Sequence, residues 1–67
     1  MIHRDETVYS RPDPDEVGET GNTTGGTRTC TIEGCRGVRV GVRWGDGKLT
    51  WPCTEGMHKV DGAWYID

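Results

Sequence analysis

The clearest alternation of apolar and polar positions lies in the second half of the chain. From Val38 to Trp44 (VRVGVRW), apolar side chains alternate with arginine or glycine. This is the period of a strand that has one buried face. A glycine and an Asp-Gly pair follow, and after Lys48 come residues 49–51 (LTW). Because Asp-Gly between two strand-like segments is a strong hairpin signal, the pattern predicts a hairpin with its turn at Asp46-Gly47.

The pairing of apolar side chains favours one register for this hairpin. With Asp46-Gly47 as a two-residue type I′ turn, Trp44 faces Leu49, and apolar residues meet on one face. A three-residue loop would instead pair Trp44 with Lys48 and mix the two faces. We therefore expect the two-residue turn, with Trp44 and Trp51 both in the core.

A second Asp-Gly pair predicts a second, shorter hairpin. Asp61-Gly62 separates residues 58–60 (HKV) from residues 63–66 (AWYI). No segment shows the period of an amphipathic helix. The sequence therefore predicts a small all-β domain of three or four strands, arranged in one or two hairpins.

The first 28 residues differ from the rest in composition. They carry six acidic residues against three arginines, and Pro12 and Pro14 interrupt any regular element. Residues 18–27 (GETGNTTGGT) have the composition of a flexible linker. We therefore expect residues 1–28 to form a disordered acidic arm and residues 29–67 to form the folded domain.

The folded part is short for a domain that depends on its apolar core alone. The chain has 67 residues, of which 31% are hydrophobic and none is Phe. Domains of this size usually need a metal or disulfides. The polar N-terminus does not resemble a signal peptide, and no apolar stretch is long enough to span a membrane. We therefore expect a cytoplasmic protein whose thiols are reduced.

Three cysteines and one histidine form the most informative chemical pattern. Four residues separate Cys30 from Cys35, and four separate Cys53 from His58. Two close pairs of thiolate and imidazole ligands suit a closed tetrahedral zinc site. The predicted cofactor is one structural Zn²⁺ bound by all four side chains. A Cys30–Cys35 or Cys30–Cys53 disulfide with one free thiol is the alternative.

Two ligand pairs that flank a β-hairpin resemble the zinc-ribbon family. In that family, two metal-binding loops hold the base of a small antiparallel sheet. The resemblance covers residues 30–67 and implies ligand roles for the same four residues. The loops differ, since zinc ribbons usually place two residues between paired ligands, whereas this chain places four. Six arginines against two lysines also resemble the composition of small proteins from high-GC bacteria and their phages.

These features favour a binding function over catalysis. Three thiolates and one imidazole would close the zinc shell and leave no position for a catalytic water, so we do not expect an enzyme. The first expectation is a protein-interaction or regulatory accessory module with a protein partner. The alternative is a nucleic-acid-binding zinc ribbon that uses the basic side chains of the hairpin: Arg36, Arg39, Arg43 and Lys48. A net charge of −3 favours the protein partner, because nucleic-acid affinity depends on neutralising phosphates.

Overall fold

The fold is one mixed β-sheet of six strands. The computed structural model describes residues 3–67, and its strands are β1 (Thr7–Tyr9), β2 (Thr20–Thr29), β3 (Val38–Trp44), β4 (Leu49–Thr50), β5 (Met57–Val60) and β6 (Ala63–Ile66). They are ordered β4-β3-β2-β1-β6-β5, and all neighbours are antiparallel except β1 and β6. The predicted all-β class is confirmed, with more strands than expected. Within the described range, no helix has the length and apolarity needed to cross a membrane.

The sheet is strongly curled, because a short segment joins its two edges. The Pro52 carbonyl accepts a hydrogen bond from β3, and Cys53 forms a bridge to the same strand. Four residues later, after the 3-10 turn Thr54–Gly56, Met57 begins β5. In a flat sheet β5 would lie about 19 Å from β3, whereas four residues of chain span at most about 14 Å. The two edges must therefore curl towards each other.

The inner face of the curled sheet encloses a small core. Val8, Val40 and Val42 are at most 1% exposed. Trp44 and Met57 complete the buried cluster, and two partly buried side chains of β6 pack against it. The core therefore joins β1, β3, β5 and β6, and the inward positions of β3 follow the predicted alternation.

The N-terminal residues belong to the sheet, in contrast to the disordered arm that the sequence predicts. β2 lies between β1 and β3 and pairs with both. Its many threonines are β-branched and fit a strand. Gly21 packs against Trp44, where a Cβ would approach the ring to 2.8 Å. The sheet therefore crosses the predicted boundary between residues 28 and 29; residues 1 and 2 of the predicted arm lie outside the described range.

Hydrogen bonds tie the segment before β1 to the sheet. The Thr23 hydroxyl, in a residue only 2% exposed, accepts from the Glu6 backbone N–H at 2.9 Å and donates to the His3 carbonyl. The Glu6 carboxylate accepts from Lys59 Nζ at 3.2 Å and from Trp64 Nε1 at 3.3 Å. The His3 backbone N–H, followed by these side-chain donors, lowers the pKa of Glu6. The N-terminal segment is thus bonded to the last hairpin of the chain.

The turn of the first hairpin is one residue longer than expected. The Gly47 N–H donates to the Trp44 carbonyl at 2.9 Å, and the Trp44 N–H donates to the Lys48 carbonyl at 2.9 Å. Gly47 has φ 88°, the left-handed conformation of a three-residue loop that ends in a bulge. The predicted pairing of Trp44 with Leu49 is therefore wrong. Trp44 remains buried in the core cluster, and its indole N–H donates to the Thr50 hydroxyl at 2.7 Å.

The second hairpin has the predicted turn. Val60 pairs with Ala63, and the two residues between them, Asp61 and Gly62, have φ 49° and 85°. Two consecutive positive φ angles define the type I′ turn that Asp-Gly favours. The prediction of a hairpin at this position is confirmed.

Candidate metal centre

Three cysteines meet where the β2–β3 loop contacts the segment after β4. Cys30 and Cys35 belong to this loop, which we call the metal loop (residues 30–37), and Cys53 follows β4. Their Sγ atoms all lie within 4.8 Å of one another, and those of Cys35 and Cys53 are 3.1 Å apart. All three are free, half-buried thiols. The sequence thus brings soft metal ligands from two distant segments to one point.

Two short turns position these thiols. In the metal loop, the Cys35 N–H donates to the Ile32 carbonyl at 3.0 Å. On the other side, the Gly56 N–H donates to the Cys53 carbonyl at 3.0 Å and begins the 3-10 turn. The two segments have related sequences, CTIEGC and CTEGMH. Each turn therefore folds the chain back immediately beside a ligand.

Gly37 leaves room for a carboxylate beside the cluster. A Cβ at this position would lie 3.0 Å from Cys53 Sγ and 3.0 Å from Glu55 Cγ, so these two side chains converge on the same space. It would also lie 2.5 Å from Thr54 Oγ1. Glu55 Oε1 accepts a hydrogen bond from the Arg36 backbone N–H at 2.9 Å, which holds the carboxylate at the metal loop. Glu55 is therefore held beside the thiols, although its carboxylate, like His58, lies outside the group of ligand atoms that are within 4.8 Å of one another.

The thiols border a cleft that is open to solvent. Its volume is about 320 Å³, and its lining consists of Ile32, Glu33, Gly34, Cys35, Cys53 and Glu55. Two carboxylate side chains thus share the cleft with two of the three thiols. A water molecule or a carboxylate oxygen has access to the side of the cluster that the sulfur atoms leave free.

The three thiols also perturb one another's ionisation. The hydrogen bond from the Cys35 thiol is the main cause that lowers the pKa of Cys30. Hydrogen bonds to Cys30 and Cys53 raise the pKa of Cys35 to about 12. Three thiolates this close would repel one another, so the cluster retains protons unless a cation replaces them. A divalent metal ion supplies that charge and displaces the protons.

His58, the fourth predicted ligand, is not part of the cluster. Its Nδ1 lies 2.7 Å from Asp67 Oδ1, and its ring stacks on Tyr65 with the centroids 5.9 Å apart. The prediction assumed that Cys53 and His58 close one compact loop. Instead, the chain extends from Met57 as β5, and this strand carries the imidazole away from the thiols.

The four basic residues predicted for nucleic-acid binding lie in different parts of the fold. Arg39 and Arg43 are on β3, whereas Arg36 lies in the metal loop and Lys48 in the turn before β4. Arg28, which the sequence analysis assigned to the arm, is the cross-strand partner of Arg39. Its position depends on the pairing of β2 with β3, and that pairing has no local sequence signal.

Comparisons with known proteins identify no family for this chain. No protein-family model matches the chain, and neither a curated protein nor a solved structure is significantly similar to it. The zinc-ribbon resemblance therefore rests on ligand spacing alone. The fold and the site define a small all-β protein with a cysteine cluster suited to a metal ion.

Proposed function

We propose that this chain is a small zinc-binding module in which Cys30, Cys35 and Cys53 bind one Zn²⁺. The observation that carries the proposal is the convergence of these three sulfur atoms within 4.8 Å. Three thiolates and one further ligand make a donor set that zinc favours. An odd number of thiols cannot pair completely, whereas a metal ion uses all three.

The proposed role of the metal is to stabilise the fold. Zinc at this point connects the metal loop to the segment that joins the two edges of the sheet. Structural zinc in small peptides contributes about 10–16 kcal/mol of apparent binding free energy at neutral pH. A whole domain is usually stable by only about 5–15 kcal/mol. A core of five buried side chains makes such a contribution important here.

The fourth coordination position determines what else the zinc does. A zinc shell with no position for a catalytic water requires a fourth protein ligand, and His58 lies elsewhere. We propose Glu55 for that position, because Gly37 leaves its side chain next to Cys53; its carboxylate, which bonds to the Arg36 N–H and lies outside the 4.8 Å cluster, would turn towards the metal. With this ligand in place the shell is closed, and the role of the zinc is structural rather than enzymatic.

Within this proposal the module acts by binding a protein partner. Two apolar side chains near the zinc are exposed: Ile32 of the metal loop at 61% and Val38, the residue after that loop, at 44%. We propose that these two side chains contribute to a surface that a protein partner covers with an apolar patch and a polar rim. The corresponding role would be regulatory or accessory.

Zinc content of matched variants tests the proposal. Wild type and His58→Gln should each bind one zinc per chain, measured by elemental analysis of the purified protein. Cys53→Ser should bind at least about 100-fold more weakly, because loss of a direct ligand exceeds the usual second-shell effect. Co²⁺ titration provides a second measurement, since thiolate-to-cobalt charge-transfer bands report the sulfur ligands in any variant that still folds.

Two outcomes would contradict the proposal. If Cys53→Ser binds zinc as tightly as wild type, the cysteine cluster is not the site. If His58→Gln loses its zinc while Cys53→Ser retains it, the ligand set has been misassigned.

Removal of zinc with a chelator should also abolish the near-UV circular dichroism of the buried tryptophan.

A further inference from the structure

A basic surface covers the outer side of β2 and β3. Side chains alternate along a strand, and Val42 points into the core, so Arg39, Gly41 and Arg43 lie on the opposite face. Arg28 of β2 pairs directly with Arg39 across the strands. Three guanidinium groups thus share one side of the sheet, away from the buried core.

Trp51 lies at the centre of this surface. Its ring covers two glycines, since a Cβ at Gly26 or at Gly41 would lie 3.2 Å from Trp51 Cη2. The Arg28 guanidinium is 4.0 Å from the ring centroid, and Arg39 Nη1 donates to the Trp51 carbonyl at 3.3 Å. We call the set Arg28, Arg39, Arg43 and Trp51 the basic face.

A polar cleft extends the basic face. Its volume is about 520 Å³, and its lining consists of Arg4, Asp5, Asn22, Thr23, Thr24, Arg43, Trp44 and Gly45. The Thr24 hydroxyl connects the cleft to Trp51, because it lies beside Gly41 under the indole. Arg4 therefore adds a fourth guanidinium group to those of Arg28, Arg39 and Arg43, with Asp5 as the one acidic side chain of the lining.

The arginines of this surface have no carboxylate partner within residues 3–67. The ion pairs in that range are His58–Asp67 and Lys59–Glu6. Arg28 and Arg39 face each other as like charges in adjacent strands, an arrangement that destabilises a sheet. An anion bound between them would remove this repulsion. The arrangement therefore fits a surface that receives negative charge from a ligand.

The negative net charge of the chain comes from other segments. Four exposed acidic residues lie in the connection between β1 and β2: Asp13, Asp15, Glu16 and Glu19. A net charge of −3 therefore does not describe the basic face, where arginine predominates. Association with a polyanion depends on this local charge.

We infer that the basic face binds single-stranded nucleic acid, an activity beyond the proposed zinc binding. Guanidinium groups pair with phosphates, and the Arg28 guanidinium, which lies over the Trp51 ring, can also stack on a base. Arg39 and Arg43 lie about 13 Å apart along β3. Their guanidinium groups can therefore contact separate phosphates of one extended nucleic-acid strand. Reading a duplex through the major groove usually requires a helix or a projecting ribbon, and residues 3–67 form no α-helix.

Fluorescence anisotropy with a labelled oligo-dT tests the inference on the full-length, zinc-loaded protein at low salt. Affinity should fall as salt rises. The double variant Arg28→Gln/Arg39→Gln should bind about tenfold more weakly or worse, and the slope of log K against log salt should flatten by about 1.4, as loss of two phosphate contacts requires. The control Arg11→Gln/Lys59→Gln also removes two positive charges, one in the β1–β2 connection and one on β5, and should bind within about twofold of wild type.

A second variant separates stacking from charge. Trp51→Leu should lose affinity and retain the salt slope of wild type, because it removes the ring and no phosphate contact. Circular dichroism and zinc content show whether each variant is folded and metal-bound. Loss of oligo-dT binding in a folded, zinc-loaded variant can therefore be distinguished from loss of zinc.

Three results would overturn the inference. Folded, zinc-loaded wild type that fails to bind oligo-dT at low salt would leave an acidic protein segment as the ligand of the basic face. Equal losses in the two double variants would show general charge attraction without a site. Duplex DNA bound as tightly as oligo-dT would exclude the preference for single strands.

Discussion

Thr23 shows how much of the N-terminal structure depends on one hydroxyl group. It is the buried polar side chain at the centre of β2, and its Oγ1 bonds to the backbone of both Glu6 and His3. Thr23 belongs to a Gly/Thr-rich stretch of the sequence. It nevertheless anchors Glu6 and His3, which lie 17 and 20 positions earlier in the chain.

Thr23→Val should lower the free energy of unfolding by about 1–3 kcal/mol, because the shape is retained while two backbone groups lose their partner. Thr29→Val, at an exposed position of the same strand, should change it by no more than about 0.5 kcal/mol. Urea denaturation of zinc-loaded protein, followed by tryptophan fluorescence, gives both values. Equal effects at the two positions would show that the N-terminal segment is not bonded to β2.

The sequence indicated the thiols of the candidate site better than its other residues, because a thiol has fewer roles in a protein than an imidazole or a carboxylate. Each thiol has few roles in a small reduced protein, so Cys30, Cys35 and Cys53 were identified from residue type and spacing. His58 was assigned by spacing alone, but an imidazole also stacks and pairs with carboxylates, as it does with Tyr65. Glu55, which we propose as the fourth ligand, has no such signal, because carboxylates are common and its placement beside Cys53 depends on the space at Gly37.

At the scale of elements, β2 is the strand that differs most from expectation. Its glycines are close-packing positions: Gly21 lies under Trp44, and Gly26 lies under Trp51. Composition alone cannot distinguish such a glycine from one in a linker, because a close-packing glycine is recognised only by the aromatic ring that another segment places against it. Glycine removes the side chain where two elements approach most closely.

Gly21→Ala tests this packing. Its Cβ would lie 2.8 Å from Trp44 Cε3 and 2.9 Å from the Arg43 carbonyl oxygen, so the strands must shift. We expect a loss of about 1–3 kcal/mol in the free energy of unfolding. Gly45→Ala is the matched control, since its nearest neighbour would be 3.8 Å away. A linker would tolerate both changes equally, and that outcome in thermal unfolding would contradict the assignment of β2.

The elements that were predicted share a local signal. β3 shows strict alternation, and the β5–β6 hairpin has Asp-Gly between two apolar segments. The first turn was wrong by one residue, because the loop has three residues and Gly47 adopts a positive φ. Local patterns therefore located strands and turns but did not determine the register of this hairpin.

At the scale of the whole molecule, the sheet closes around a core that few residues supply. The order β4-β3-β2-β1-β6-β5 joins residues distant in the chain, including the parallel pair β1 and β6. Nothing in the local sequence indicates that pair, because it forms between the two ends of the chain. The cysteine cluster lies beside the segment that joins the two edges of the sheet, so a metal bound there stabilises the closure.

The zinc K-edge absorption spectrum of the purified protein tests the central claim most directly. The account predicts three sulfur scatterers at about 2.3 Å and one oxygen at about 2.0–2.2 Å. In Glu55→Gln the three sulfurs should remain, because the thiolates bind zinc without the carboxylate. Multiple scattering from an imidazole, or a shell with fewer than three sulfurs, would contradict the assignment of Cys30, Cys35 and Cys53 with Glu55 as the ligands.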